Sequence, residues 1–292
     1  GDLGRTLEGY IVTAMMSTFM IFQGINMAAI AGAMLIVKII DAFDDVIFGY
    51  LVDRIHITEW KAFKKVTGEG KYLPWYRLTF FLFPIFTALF FCMPRGWGAG
   101  GKLAWFFIFY LLYDLSYTLV EVPMQSMIVT LTDNTDERNS ILQTKTIINS
   151  IATIGAGMLW TVAISEHVGI GIREVALVSS VAFFFMMLPL GRGVKEHNTT
   201  LANVDPKENE KYSLKDMWTC IKTNKYLMLL LLSTVITSCL QTGGAVGLLV
   251  SYYHFGSSLV MAIPILISLI PVILAQMQTR KLVNRFGKLK VF

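Results

Sequence analysis

Met34–Val52 reads MLIVKIIDAFDDVIFGYLV. About 20 mainly apolar residues suffice for a helix to cross the hydrocarbon core of a bilayer, and this run has that length. It also carries Lys38, Asp41, Asp44 and Asp45. A charge near the bilayer centre costs at least about 2.5–3.5 kcal/mol on insertion scales, so such residues turn toward protein or an aqueous cavity. Lys38, Asp41 and Asp45 are spaced i, i+3, i+7 and share one helical face. An ammonium and two carboxylates facing one space suit a cation site or a proton relay. Asp44 has two readings: a direct role in that space, or a side chain turned toward water or a neighbouring helix.

The rest of the chain agrees with a membrane setting. Hydrophobic residues make up 54% of the 292 residues and charged residues 15%, against about 25% charged in ordinary soluble domains. The net charge is +5. No basic face interleaved with aromatics is visible, so nucleic acid is excluded as a partner. Cys92, Cys220 and Cys239 have no metal-ligand or redox spacing. The four histidines, His56, His167, His197 and His254, offer no metal-ligand pair.

Eight apolar runs are long enough to span a bilayer, near 4–24, 30–53, 75–94, 103–131, 142–165, 172–190, 225–252 and 257–278. Lys and Arg crowd alternate connections. Arg54, Lys61, Lys64, Lys65 and Lys71 follow the second run, and Arg192, Lys195, Lys207, Lys211, Lys215 and Lys222 follow the sixth. The opposite connections hold Arg95, Lys102 and Arg173. Basic loops stay in the cytoplasm, which places the N-terminus there too. The polar stretch 191–224 lacks apolar periodicity and reads as a flexible cytoplasmic linker. Beyond it, LKDMWTCI reads as a short amphipathic surface helix. The expected organisation is a six-helix transmembrane bundle at 1–190, the linker at 191–224 and the start of a second bundle at 225–292. Six helices, a long linker and further helices is the plan of the major facilitator fold. RFGKLKVF at the end reads as the start of another helix, so the chain is taken as a truncated piece of a longer protein.

Particular motifs sharpen this. GYLVDR at Gly49–Arg54 fits the G-x-x-x-D-R signature of major facilitator transporters. IDAFDDVIFGYLVDR, GKYLPWYRL at Gly70–Leu78, YTLVEVPMQSM at Tyr117–Met127 and DERNSIL at Asp136–Leu142 follow in order. Together with the opening GDLGRTL they resemble the glycoside–pentoside–hexuronide:cation symporter family, along essentially the whole chain. The resemblance implies an all-α transporter, not an enzyme, that carries a sugar with Na⁺ or H⁺ by alternating access. It implies a multi-pass protein of the cell inner membrane, expected as a monomer in the lipid bilayer. No cofactor is implied beyond the coupling cation.

It also implies residue roles. Asp41, Asp45 and Thr118 match the family's cation-binding oxygens, which suit a hard cation such as Na⁺. Glu121 and Gln125 fall at sugar-site positions of the fourth helix, Lys145 at a basic position of the fifth, and Arg5 with Thr6 at a Lys-Asp pair of the first. Lys38, Asp44, Asp114, Asp53 and Arg54 are read as coupling or structural charges. Asp114, Thr118, Glu121 and Gln125 are spaced 4, 3 and 4, a polar stripe on one helical face. Thr6 stands where the family has an acid, and Gln125 where it has an aromatic. Both departures argue against melibiose itself.

Competing readings attach to several of these residues. Glu121 precedes Pro123 and could serve only the carbonyl that the proline frees. Lys145 and Arg5 could snorkel to the membrane edge, where Asp53 and Arg54 could form a latch. Glu8 is a weaker cavity-lining candidate. SIATIGAG at Ser150–Gly157 is a small-residue stripe for helix packing. For the whole chain the alternatives are a major facilitator transporter of a lipid-like or anionic solute, a non-transporting sensor, and an intramembrane aspartyl protease. Tyr113-Asp114 resembles half of the protease motif, and its G-x-G-D partner is missing.

Overall fold

A computed structural model of the chain describes residues 1–55, 57–59, 67–68, 70–132, 134–165 and 167–196, and beyond them 219, 222–229, 232–233, 250–251 and 253–286. Among these residues the protein is helical, with no strand. The stretch 197–218 of the expected linker, most of the seventh run and nearly all of LKDMWTCI lie outside the described residues.

Helix α1 spans Asp2–Phe22. It ends in a Schellman turn: Ile25 N–H donates to the Met20 carbonyl and Gly24 N–H to that of Ile21. The turn needs a left-handed residue, and Gly24 provides it at φ +78°. Asn26 then caps α2, its Oδ1 accepting from Ala28 N–H at 2.8 Å. Helix α2 (Met27–Arg54) has 28 residues, about 42 Å of helix.

Helix α3 covers Leu73–Phe91 in two segments, Leu73–Thr79 and Leu82–Phe91. Pro84 accounts for the break at Phe80–Phe81: its ring clashes with the carbonyl four residues back, that of Phe80. Helices α4 (Ala99–Leu131), α5 (Thr135–Ile164) and α6 (Ile172–Gly193) complete six helices, and α7 (Ala262–Phe286) covers most of the eighth run. Hydropathy placed the start of α5 near 142, seven residues late. Its first turn is polar, opened by Asn134, whose side chain accepts from Asp136 N–H, with Asp136 and Glu137 set against the helix dipole.

Helix α1 packs on α5 and α6, α2 on α4, α3 on α4 and α6, and α7 on α5. Ile11, Met20, Phe83, Phe90, Phe91, Phe106 and Met187 are fully enclosed. Phe90 meets Phe91 and Phe106 edge-on, at ring separations of 5.0 and 5.7 Å. Large apolar side chains such as Leu35, Ile39, Phe43, Val178 and Phe185 point outward instead. That arrangement suits a lipid solvent. By length and composition, α3, α4, α5 and α6 can each cross a membrane. The charges of α2 set it apart from these four helices.

The GKYLPWYRL segment builds a clamp. Both carboxylate oxygens of Glu196, just past α6, accept backbone N–H groups of Lys71, Tyr72 and Leu73 at the start of α3. Arg77 donates to the carbonyls of Gly191 and Thr67, and Tyr76 Oη to that of Met187 at 2.9 Å. Trp75 Nε1 donates to the Ile55 carbonyl at 3.1 Å, tying in the end of α2. Gly70 sits at φ +120°, and a Cβ there would lie 3.0 Å from the Glu196 carboxyl carbon. A side chain is therefore opposed twice, by backbone strain and by the carboxylate.

Candidate functional site

Two polar clusters meet on α4. The first lies between α2 and α4. Ile30, Ala33, Val37, Asp44 and Val52 form the buried stripe of α2, so Asp44 is on the packing seam. It is 7% exposed, and neither of its oxygens has a hydrogen-bond partner. Asp41, Asp44 and Asp45 each bring a carboxylate oxygen within 4.8 Å of the others. Thr118 Oγ1 donates to Asp45 Oδ1 at 3.0 Å. Lys38 Nζ lies 2.6 Å from Asp41 Oδ2 and 3.1 Å from Asp114 Oδ1. Asp44 thus faces the neighbouring helix α4 and at the same time lies beside Asp41 and Asp45. All the donors here are carboxylate and hydroxyl oxygens, the ligand type that hard cations take.

The second cluster joins α1, α4 and α5 in a closed ring. Asp2 to Arg5 is 3.2 Å, Arg5 to Glu121 3.2 Å, Glu121 to Gln125 3.3 Å, Gln125 to Lys145 3.1 Å and Lys145 back to Asp2 3.3 Å. Arg5 also donates to Tyr117 Oη, and its guanidinium carbon lies 5.1 Å from the centre of that ring. Asn149 donates to Asp2 Oδ2 at 2.6 Å and to Thr6 Oγ1 at 3.2 Å. The ring contains two cations and two carboxylates, so its formal charges cancel.

The structure thus brings Arg5, Glu121, Gln125 and Lys145 together, and Lys38, Asp41, Asp44, Asp45, Asp114 and Thr118 together. Neither Arg5 nor Lys145 snorkels away. The carbonyl freed by Pro123 is that of Leu119, and Thr79 Oγ1 on α3 lies 3.2 Å from it, sharing its one proton with the Trp75 carbonyl at 2.9 Å. Glu121 itself pairs with Arg5 and Gln125. Glu8 does not line the cluster either; it is fully buried inside the bundle near Thr87 and Ser180. The side chains of Asp53 and Arg54 lie outside the described residues. Sequence reasoning missed Asp2, Tyr117 and Asn149. The signals were an acid three residues before Arg5 and an amide four residues after Lys145, both on the matching helical face.

Comparison with known proteins settles the family. The profile of the family described as MFS/sugar transport protein matches residues 1–292. The chain belongs to that family. An isoprimeverose transporter of Lactiplantibacillus pentosus is 30% identical over 156 residues, 52% of this chain and 30% of that protein. An uncharacterised symporter of Bacillus subtilis (strain 168), YjmB, is 25% identical over 272 residues, 91% of this chain and 56% of its own length. A glucuronide carrier protein homolog of Escherichia coli (strain K12) is 30% identical over 115 residues, 39% of this chain and 23% of the carrier homolog. The chain thus covers between about a quarter and just over half of these relatives. This MFS family member is a multi-pass membrane protein, and its relatives are transporters rather than enzymes, which sets the protease reading aside.

Proposed function

We propose that the full-length protein is a secondary transporter that couples entry of a sugar or glycoside to Na⁺ or H⁺ by alternating access. The observation that carries this reading is the sharing of α4. Thr118 faces the acidic cluster, and three residues on, Glu121 faces the ring with Arg5. A cation among Asp41, Asp44, Asp45 and Thr118 and a polyhydroxyl ligand at Arg5, Glu121, Gln125 and Lys145 would be held by neighbouring turns of one helix. Carboxylates and basic groups suit sugars because each pairs with adjacent hydroxyls. Each cation of the ring already faces a carboxylate, which supports an uncharged sugar over an anionic solute. The symporter and transporter names of two relatives support coupled transport, and say nothing of the charge of the solute.

In this reading residues 1–190 form one bundle, 191–224 the linker and 225–292 the start of a second bundle that rocks against the first. The distribution of Lys and Arg supports a cytoplasmic N-terminus in the cell inner membrane. Nothing in the reading requires more than a monomer. Uptake of a glycoside panel into proteoliposomes, with inward Na⁺ or H⁺ gradients or with none, tests it. At least one glycoside should accumulate only with a cation gradient. Equal uptake with and without every gradient would overturn the coupling, and no glycoside uptake at all would overturn the substrate class.

A further inference from the structure

Lys38 occupies an awkward place. Its ammonium sits 2.6 Å from Asp41, a member of the cluster proposed to take the coupling cation. A cation arriving at Asp41 would displace this half-exposed ammonium, whose charge in a membrane protein is held best beside another carboxylate. Asp114 offers one from the opposite helix. It is 4% exposed, and its Oδ1 already lies 3.1 Å from Lys38 Nζ. Its Oδ2 is buried and has no hydrogen-bond partner. An ammonium has three N–H donors, so the donor released by Asp41 can pass to this second oxygen. Asp114 also stands outside the group of three carboxylates whose oxygens converge within 4.8 Å of one another. It lies beside Asp41 and so holds Lys38 from the edge of the cluster.

From this arrangement we infer that Asp114 is a positioning residue: it takes over Lys38 when the coupling cation claims Asp41. The inference rests on the cation role proposed above for Asp41, Asp44 and Asp45. Exchange of one carboxylate partner for another keeps the lysine charge paired throughout. Without Asp114, the lysine either stays on Asp41 and competes with the cation or leaves it unpaired. One charge-assisted hydrogen bond contributes about a ten- to hundredfold factor to an equilibrium.

The test is a cycle of cation affinities in full-length protein, read by calorimetric titration of Na⁺ or Li⁺ and, for H⁺, by proton uptake. Asp114→Asn should weaken cation binding about tenfold or more in the Lys38 background. In a Lys38→Gln background the same change should leave cation affinity within about threefold, because no lysine needs a new partner. Asp114→Glu keeps an acceptor and should stay near wild type. Asp114→Ala repeats the cycle if the amide variant fails to insert. An equal loss from Asp114→Asn in both backgrounds would make Asp114 a plain source of negative potential and overturn the inference. Unchanged affinity in the Lys38 background would overturn it as well. Absence of cation binding by wild-type protein would bring down the cation reading itself, and the inference with it.

Discussion

Glu121→Gln separates the two clusters most cleanly. Glu121 Oε2 lies 3.2 Å from Arg5, and Oε1 accepts from Gln125 at 3.3 Å. The amide keeps the shape and one acceptor but loses the charge. Arg5 retains Asp2 at 3.2 Å and its bond to Tyr117, so α1 stays docked on α4. A bidentate carboxylate holding two sugar hydroxyls gives up about 1 kcal/mol at each bond when it becomes neutral, since charge-assisted bonds are roughly twice as strong as neutral ones. The two together predict about 2 kcal/mol, or roughly a thirtyfold weaker sugar affinity. Cation affinity measured without sugar should move less than about threefold, because Asp45 is bonded to Thr118 rather than to Glu121. Calorimetric titration of sugar and cation, each alone, provides both numbers. An unchanged sugar affinity, or equal losses for the two ligands, would refute the division of α4 into a cation turn and a sugar turn.

Three further outcomes follow. Asp45→Cys should abolish cation-stimulated uptake while membrane insertion persists, and normal stimulation in that variant would remove Asp45 from the mechanism. Glu196→Ala takes the acceptor from three backbone N–H groups at the start of α3 and should destabilise the protein by about 2 kcal/mol, seen as a lower thermal midpoint in detergent. A midpoint equal to wild type would mean that water replaces the carboxylate at no cost. A cysteine at Lys195 should react with an impermeant thiol label only from the cytoplasmic side, and labelling from outside alone would invert the topology.

The fold was readable because a bilayer demands about 20 apolar residues per crossing and basic loops mark one side. The stripe Asp114, Thr118, Glu121, Gln125 was readable because helical period fixes which residues share a face. What period cannot fix is the partner. Asp44 stands off the face that Lys38, Asp41 and Asp45 share, among apolar neighbours, so only the packing of α2 on α4 determines that it enters the seam. Asp2 and Asn149 are 147 residues apart, and nothing local announces that they meet. Thr6 stands where the family has an acid, yet an acid beside Arg5 is present one turn earlier, at Asp2. The clamp was hidden for the same reason. GKYLPWYRL was visible as a motif, but its carboxylate arrives from Glu196, 125 residues beyond Lys71.

Pro123 removes the backbone bond that residue 123 would make to Leu119, and Leu119 lies between Thr118 and Glu121. The Thr79 hydroxyl of α3 reaches that carbonyl from outside the helix, sharing its proton with the Trp75 carbonyl. A residue that touches neither cluster therefore braces α4 at the turn that joins Thr118 to Glu121. With the hydroxyl in place, a shift of one turn drags the other along like two cogs on one shaft. Were it lost, the shaft would acquire slack, and the two sites proposed above would fill and empty without keeping time with each other.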